Sequence, residues 1–144
     1  MLSRVLDWTA ARSQPWILLL GRLAMGAIFV QSGFGKLINL SGFAAGLAAN
    51  GLPYPTLWAA VAVLVEFGGG LAVVLGIRVR LAALLMASFT IVAALLSHDF
   101  WTMEGAERME NSIQFMKNVA IAGGFLFLFL LDGGPIALDR RKAR

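Results

Sequence analysis

The sequence contains no cysteine and a single histidine, His98. Without cysteine, the chain can form no disulfide, no thiolate metal site and no cysteine-ligated iron–sulfur cluster. One histidine cannot build an all-histidine metal site, so no metal centre is expected. Any redox chemistry would therefore need a bound cofactor, a partner subunit or a small redox molecule dissolved in the bilayer.

Charged side chains are also scarce: they make up 14% of the 144 residues, whereas soluble domains carry about 25%. Hydrophobic residues reach 59%, and the mean hydropathy is +0.79. A soluble core of this size cannot bury that much apolar surface. The net charge of +4 is compatible with nucleic-acid binding. However, the basic residues lie at the ends of apolar runs, as they do in helices anchored at a membrane surface. The composition therefore predicts a membrane protein that contacts the lipid bilayer, and no nucleic-acid partner.

Four apolar runs are each long enough to cross a membrane. They cover residues 15–40, 56–77, 81–97 and 115–131. A hydrocarbon core needs roughly 20 helical residues, and only helices or closed barrels satisfy backbone polar groups there. We therefore predict an all-α integral membrane bundle of four transmembrane helices, in one membrane domain over residues 1–144. The first run is expected to be retained, because it has a long leader, an internal arginine and no small-residue cleavage site.

Basic residues cluster before the first run, in the second loop and in the tail. The other two loops hold fewer basic residues and several carboxylates. The positive-inside bias therefore predicts that both termini face the cytoplasm. The clustered basic residues are Arg4, Arg12, Arg78, Arg80, Arg140, Arg141, Lys142 and Arg144.

Two shorter stretches outside the four runs also have helical character. Residues 2–11, which include Trp8, predict a surface helix before the first span. Residues 42–49 predict a short half-buried helix, ended by the breaker sequence Asn50-Gly51-Leu52-Pro53. We therefore expect short interfacial helices beside the four spans.

Charged side chains interrupt the first two runs at Arg22, Lys36 and Glu66. A charge within a span costs at least about 2.5 kcal/mol, so it seldom faces lipid. At a rise of about 1.5 Å per residue, the backbones of Arg22 and Glu66 differ in depth by roughly 6 Å. We therefore predict an Arg22–Glu66 ion pair inside the bundle. Two interpretations stay open: the pair belongs to a functional site, or it only fixes helix register.

A second polar cluster is predicted near the outer ends of the helices. Lys36 ends the first run, His98 and Asp99 follow the third, and Lys117 and Asn118 open the fourth. Lysine and histidine donate hydrogen bonds, so these groups are suited to an anionic or carbonyl-bearing ligand. The alternative is that both lysines only extend to the membrane interface and that the histidine is ordinary surface.

The chain contains a series of motifs in this order: Gly21-Arg22, Phe29-Val30-Gln31-Ser32-Gly33-Phe34-Gly35-Lys36-Leu37, Gly51-Leu52-Pro53-Tyr54-Pro55, Glu66-Phe67-Gly68-Gly69-Gly70, Leu75-Gly76-Ile77-Arg78-Val79-Arg80-Leu81-Ala82-Ala83, Lys117-Asn118 and Gly133-Gly134-Pro135-Ile136-Ala137-Leu138-Asp139. Together they resemble the DoxX family of small bacterial membrane proteins, over residues 20–139. The tail differs from the family pattern at Ala137, where a serine is common. The resemblance implies a multi-pass four-helix bundle in the bacterial inner membrane. Members are associated with quinone-linked oxidation of thiosulfate and with membrane complexes for redox-stress defence, and some related proteins are assembly factors.

The leading functional hypothesis is a membrane subunit of a quinone-linked or redox-stress oxidoreductase system. Such a subunit would bind a quinone or another small redox molecule among its helices, with no covalent cofactor. The alternative is a non-catalytic accessory or assembly subunit, whose small-residue faces contact partner membrane subunits or a second copy. Transport of a small solute is a third option that would need an oligomer. The predicted ligand contacts are Arg22, Phe29, Lys36, Glu66, Lys117 and Asn118.

Overall fold

The computed structural model describes the backbone of residues 2–139 and the side chains of residues 7–139. Six α-helices follow one another in this part of the chain. A π-helical segment (Leu64–Gly69) joins the third to the fourth, and a short 3-10 turn (Phe100–Thr102) precedes the sixth. The helices are α1 (Leu2–Ile38), α2 (Leu40–Ala49), α3 (Pro55–Val63), α4 (Gly70–Leu75), α5 (Val79–Ser97) and α6 (Gly105–Leu131).

Four helical stretches are long and apolar enough to cross a membrane, which confirms the predicted fold class. They are Asp7–Ile38, Pro55–Leu75, Val79–Thr102 and Gly105–Leu131, and we call them helices I to IV. Large apolar side chains point outward from them, as lipid-facing residues do; Leu64, for example, is 74% exposed. The orientation prediction draws partly on the side chain of Arg4 and on residues 140–144, which lie outside the described residues.

Helix I is longer than its apolar run, and the prediction of a separate surface helix over residues 2–11 is wrong. The backbone is one continuous α-helix from Leu2, with Pro15 inside it. Proline removes one backbone hydrogen bond, but local side-chain contacts support the preceding turns. The guanidinium of Arg12 lies 5.0 Å from the ring centre of Trp8, and the Ser13 hydroxyl donates to the Thr9 carbonyl at 2.7 Å.

Helix IV also begins earlier than its apolar run, at Gly105 rather than at residue 115. Glu107 lies in its first turn, where the positive end of the helix dipole stabilises a negative charge. The preceding turn is held by aromatic packing: the ring of Phe115 lies 5.5 Å from that of Phe100 and 6.0 Å from that of Trp101. The polar start of helix IV is therefore ordered as part of the bundle.

The predicted short helix over residues 42–49 is confirmed as α2, which begins at Leu40. Asn39 caps it, because its side-chain oxygen accepts a hydrogen bond from the Gly42 N–H at 3.3 Å. The following turn places Gly51 and Tyr54 at positive φ, and Pro55 then starts α3. This connection lies at what we call the α2 end of the bundle.

Helices I and II are antiparallel and approach each other closely at glycines. A Cβ atom on Gly33 would lie 2.5 Å from the backbone nitrogen of Phe67, and one on Gly26 would lie 2.9 Å from the Gly70 carbonyl oxygen. Real Cβ atoms do not come this close to a backbone, so both positions need glycine. These contacts fix the height of helix I relative to helix II.

The apolar core lies among the four helices, around Phe29, Val73, Met86 and Phe125. Helix III packs extensively against helix IV, whereas helix IV meets helix I only sparsely. The rings of Phe29 and Phe125 are 5.5 Å apart at that sparse contact. The seam between helices I and IV is thus the least tightly closed side of the bundle.

The opposite end, which we call the Gly76 end, is closed by residues 132–139. Helix II ends at Gly76 with φ 77°, which suits glycine. Asp139 donates its backbone N–H to the Gly76 carbonyl at 3.3 Å and accepts a hydrogen bond from the Arg78 N–H through its carboxylate. Ala137 is only 2% exposed. Residues 132–139 therefore fold back over the helix ends; we call them the covering segment.

Candidate functional site

Lys36 of helix I and Glu66 of helix II form an ion pair within the spanning helices. The Lys36 Nζ lies 2.6 Å from Oε2 and 2.8 Å from Oε1 of Glu66, and it donates a further hydrogen bond to the Ser32 hydroxyl at 2.7 Å. The Lys36 side chain is 23% exposed and that of Glu66 is 8% exposed. The pair is thus a half-buried donor and acceptor set, with one face of the lysine still accessible.

The direction of the two side chains explains why they meet. Helical side chains tilt toward the N-terminus of their own helix. Helix I runs toward the α2 end, so Lys36 leans back into the bundle and reaches Ser32, one turn earlier. Helix II runs the other way, so Glu66 leans toward the α2 end. The two charges therefore converge from opposite directions.

The carboxylate lies on the π-helical segment Leu64–Gly69. In a π-helix the backbone hydrogen bonds join residues five apart. This geometry costs stability, and single π-helical turns are frequently found at functional sites. Its neighbours are tightly packed on both sides: Phe67 faces Gly33, and a Cβ on Gly69 would lie 2.5 Å from the Met86 sulfur. The segment holds Glu66 toward helix I while helices I, II and III stay in close contact.

An aromatic ring lies beside the charged pair, and two more pack against each other on the same two helices. Lys36 Nζ lies 5.2 Å from the ring centre of Phe43 on α2, within the range of a cation–π contact. The rings of Phe34 and Phe67 are 6.3 Å apart on the adjoining surface of helices I and II. Beside them, an open groove of about 670 Å³ runs between the end of helix I, α2 and the start of α3, lined by Leu37, Ile38, Leu40, Ser41, Ala44, Ala45, Ala48, Pro55 and Thr56.

Arg22 is not part of this pair, and the predicted Arg22–Glu66 ion pair is wrong. Arg22 is 1% exposed, and its Nε and Nη1 atoms have no hydrogen-bond partner among the described residues. The side chain leans toward the N-terminus of helix I and reaches Gly76: a Cβ placed there would lie 1.9 Å from Nη1. The depth argument compared backbones and neglected that Arg22 and Glu66 tilt away from each other. Along helix I, Arg22 and Lys36 are separated by roughly 21 Å.

The predicted outer cluster does not form as one set of direct contacts. His98 Nδ1 lies 3.0 Å from the Asn111 side-chain oxygen, and Asp99 accepts a hydrogen bond from the Thr102 hydroxyl at 3.0 Å. Lys117 is exposed. Asn118 is half-buried on the same face of helix IV as the buried Ala122 and Phe125, so it points toward the core. It is the one helix IV polar residue of the prediction that faces the bundle.

Two contacts of the pair were not predicted from the sequence: the Ser32 hydroxyl and the Phe43 ring. Ser32 lies four residues before Lys36, the spacing at which helical side chains meet, so its role was readable from that pattern. Phe43 lies on another helix, and its contact depends on how α2 folds against helix I. Sequence spacing alone gives no such information.

Comparison with known proteins places this bundle in a family. The DoxX family profile matches residues 17–99. The chain is 40% identical to the inner membrane protein YphA of Escherichia coli K12, over 96% of this chain and 97% of that protein. It is 38% identical to the inner membrane protein YqjF of the same organism, over 85% and 88% of the two chains. No solved structure matches significantly. The chain is therefore a multi-pass inner membrane protein that belongs to the DoxX family.

Proposed function

We propose that this protein is the membrane subunit of a redox system and binds a quinone-like molecule beside Lys36 and Glu66. The observation that carries the proposal is the half-buried ion pair itself, held on a π-helical segment within the spanning helices. A charge inside a span is costly, so a retained one is a functional candidate by default. Both termini are proposed to face the cytoplasm.

The chemistry of the pair suits a ligand with two carbonyl oxygens on an apolar ring. Lys36 donates hydrogen bonds and keeps an accessible face, so it can bind a carbonyl oxygen. Reduction of a quinone to a quinol consumes two electrons and two protons. Glu66 is positioned to pass protons, whereas the electrons would come from a partner redox subunit, since the chain has no cysteine.

The proposed ligand enters from the bilayer. Helix IV meets helix I sparsely, so this seam is the proposed route for an apolar molecule, which would enter by displacing the packed rings there. Phe29 lies at that seam, and the half-buried Asn118 faces it from helix IV. In this arrangement Phe29 packs the ring, Asn118 offers a second hydrogen bond, and the exposed Lys117 lies at the entrance. Arg22 is roughly 21 Å away along helix I and takes no part.

The test is quinone binding to the purified protein. Solvent extraction should recover a quinone from the native protein, and added quinone should bind to protein from which it has been removed. Lys36→Met and Glu66→Gln should each weaken binding. Arg108→Gln, an exposed change in the first turns of helix IV, should leave it intact. The proposal fails if no quinone is recovered or bound, or if all three variants bind equally well.

A second candidate, the accessory subunit, is favoured by one separate observation. Gln31 is exposed on the outer face of helix I, and the small residues Ala27 and Gly35 lie one turn to either side of it. An amide in hydrocarbon gains from a partner, and small residues allow another helix to approach closely. Gln31→Leu should dissociate a copurifying membrane partner or a second copy without changing quinone binding. Unchanged association would remove this candidate.

A further inference from the structure

Arg22 is a charged side chain enclosed at the Gly76 end of the bundle. Arg22 is 1% exposed, and it is among the largest fully buried side chains in the part of the chain that the structure describes. Its Nε and Nη1 atoms are buried and find no hydrogen-bond partner within residues 7–139. Among the described residues, one ion pair joins Lys36 to Glu66 and another joins Arg80 to Asp132. Neither pair includes Arg22, so neither supplies a carboxylate to neutralise it.

The immediate surroundings of the guanidinium are backbone and small side chains. A Cβ on Gly76 would lie 1.9 Å from Arg22 Nη1 and 2.7 Å from the Ala137 Cα, so the guanidinium lies next to both residues. Gly76 is the C-cap of α4, whose end carries a partial negative charge of about half an elementary charge. That dipole offsets only part of a full positive charge. The remaining N–H groups are suited to an anionic acceptor.

Polar contacts hold the covering segment at both ends, and Arg80 pairs with Asp132 at its start. Asp139 links it to the second loop through the Gly76 carbonyl and the Arg78 N–H. Asp132 and Gly134 both have positive φ, at 65° and 73°, so the chain turns sharply on leaving helix IV. Asp139 lies two residues after Ala137, so loss of its contacts would free the end of the segment next to the guanidinium. This makes Arg22 reachable from the water side without unfolding a helix.

We propose that Arg22 binds an oxyanion of the phosphate class beneath the covering segment. A guanidinium presents a planar fork of N–H donors that matches two oxygens of a phosphate, and such charge-assisted bonds are strong. Arg78 and Arg80 flank the same end and raise the local concentration of anions. The phosphate comes from a lipid headgroup or from a free anion. This site does not depend on the quinone proposal, because Lys36 lies roughly 21 Å away along helix I.

The experiment measures anion binding through the thermal unfolding midpoint of the purified full chain. Inorganic phosphate is titrated in a neutral detergent, and vesicles of phosphatidylglycerol are compared with vesicles of phosphatidylcholine. Ligand that binds only the folded state raises the midpoint. Stabilisation by phosphate supports a free anion, and stabilisation by phosphatidylglycerol alone supports a headgroup. No stabilisation by either overturns the proposal.

Three variants assign the effect to Arg22. Arg22→Met should weaken binding by roughly tenfold or more, because the bidentate partner is lost. Arg12→Gln is the matched control, since its exposed side chain lies toward the same end of helix I and the variant should bind nearly as well as wild type. Equal loss in both variants would mean general charge attraction and would overturn the proposal. If Arg22→Met does not fold, Arg22→Lys decides: lysine keeps the charge but loses the planar fork of donors, so the midpoint shift with phosphate should fall, and an unchanged shift overturns the proposal.

Discussion

Gly33 lies against the backbone of Phe67, one turn before Lys36 reaches Glu66. A Cβ at Gly33 would be 2.5 Å from the Phe67 nitrogen and 2.9 Å from its Cα. Because these are backbone atoms, they cannot move aside as the end of a flexible side chain can. The contact between helices I and II therefore sets the distance at which the lysine and the carboxylate pair.

The first prediction is that Gly33→Ala separates helices I and II. The added methyl group should lower the free energy of unfolding by about 1–3 kcal/mol, the usual effect of overpacking. Gly35→Ala is the control, because a Cβ there meets nothing within 4 Å. Alanine is the better helix former, so this control should be neutral or slightly stabilising. Unfolding in detergent checks both; equal effects would show that close approach at Gly33 is unimportant.

The second prediction concerns the energetic coupling of Lys36 and Glu66. Removing one charge leaves the other half-buried and unpaired, so Lys36→Met and Glu66→Gln should each cost about 1–3 kcal/mol of stability. The double variant should cost less than the sum of the two, because no unpaired charge remains. Stability measurements on the four proteins give the coupling energy directly. Additive effects would mean that the two groups do not interact.

A surface ion pair provides the comparison for this cycle. Arg80 Nε lies 3.9 Å from an Asp132 oxygen, and the arginine side chain is 62% exposed. Exposed pairs contribute about 0–1 kcal/mol, so Arg80→Gln should change stability little. If Arg80→Gln lowered the free energy of unfolding as much as Lys36→Met does, burial would not be the reason that the Lys36–Glu66 pair stabilises the protein.

The four spans were predictable because length and apolarity alone identify them. The sequence also predicted that charges in the spans turn inward, and Arg22 and Glu66 are both buried. It did not predict their partners correctly, because backbone depth ignores the tilt of helical side chains. The tilt brings Lys36 and Glu66 toward each other, but the register that lets them meet is set by the packing of Gly33 on Phe67.

Other features depend on tertiary packing and leave little trace in the sequence. The π-helical segment around Glu66 differs from an α-helix by one residue in its bonding, and the apolar pattern of helix II does not reveal it. The sequence predicted a separate surface helix over residues 2–11, but helix I continues from Leu2 through Pro15. A single proline is a weak indicator when good helix formers lie on both sides of it.

The third prediction separates backbone strain from crowding at two glycines. Gly76 and Gly51 have nearly the same φ, 77° and 76°, but only Gly76 is crowded: a Cβ there would meet Arg22 and Ala137, whereas one at Gly51 would meet nothing. Gly51→Ala should cost about 1–2 kcal/mol, from the left-handed conformation alone. Gly76→Ala should cost at least about 1 kcal/mol more, because the guanidinium and the covering segment must shift. Equal losses would indicate that the Gly76 end is loosely packed.

The fourth prediction uses the absence of cysteine to determine orientation. A single introduced cysteine is the only thiol in the chain, so a membrane-impermeant maleimide reports which side it faces. Ile77→Cys lies at the Gly76 end, beside the basic Arg78 and Arg80, and Glu104→Cys lies at the α2 end, just before helix IV. The positive-inside bias predicts that the Gly76 end faces the cytoplasm. In cells with a permeable outer membrane, the second variant should react at once and the first only after the inner membrane is broken. The reverse pattern would invert the topology and place the proposed phosphate site of Arg22 on the outer side.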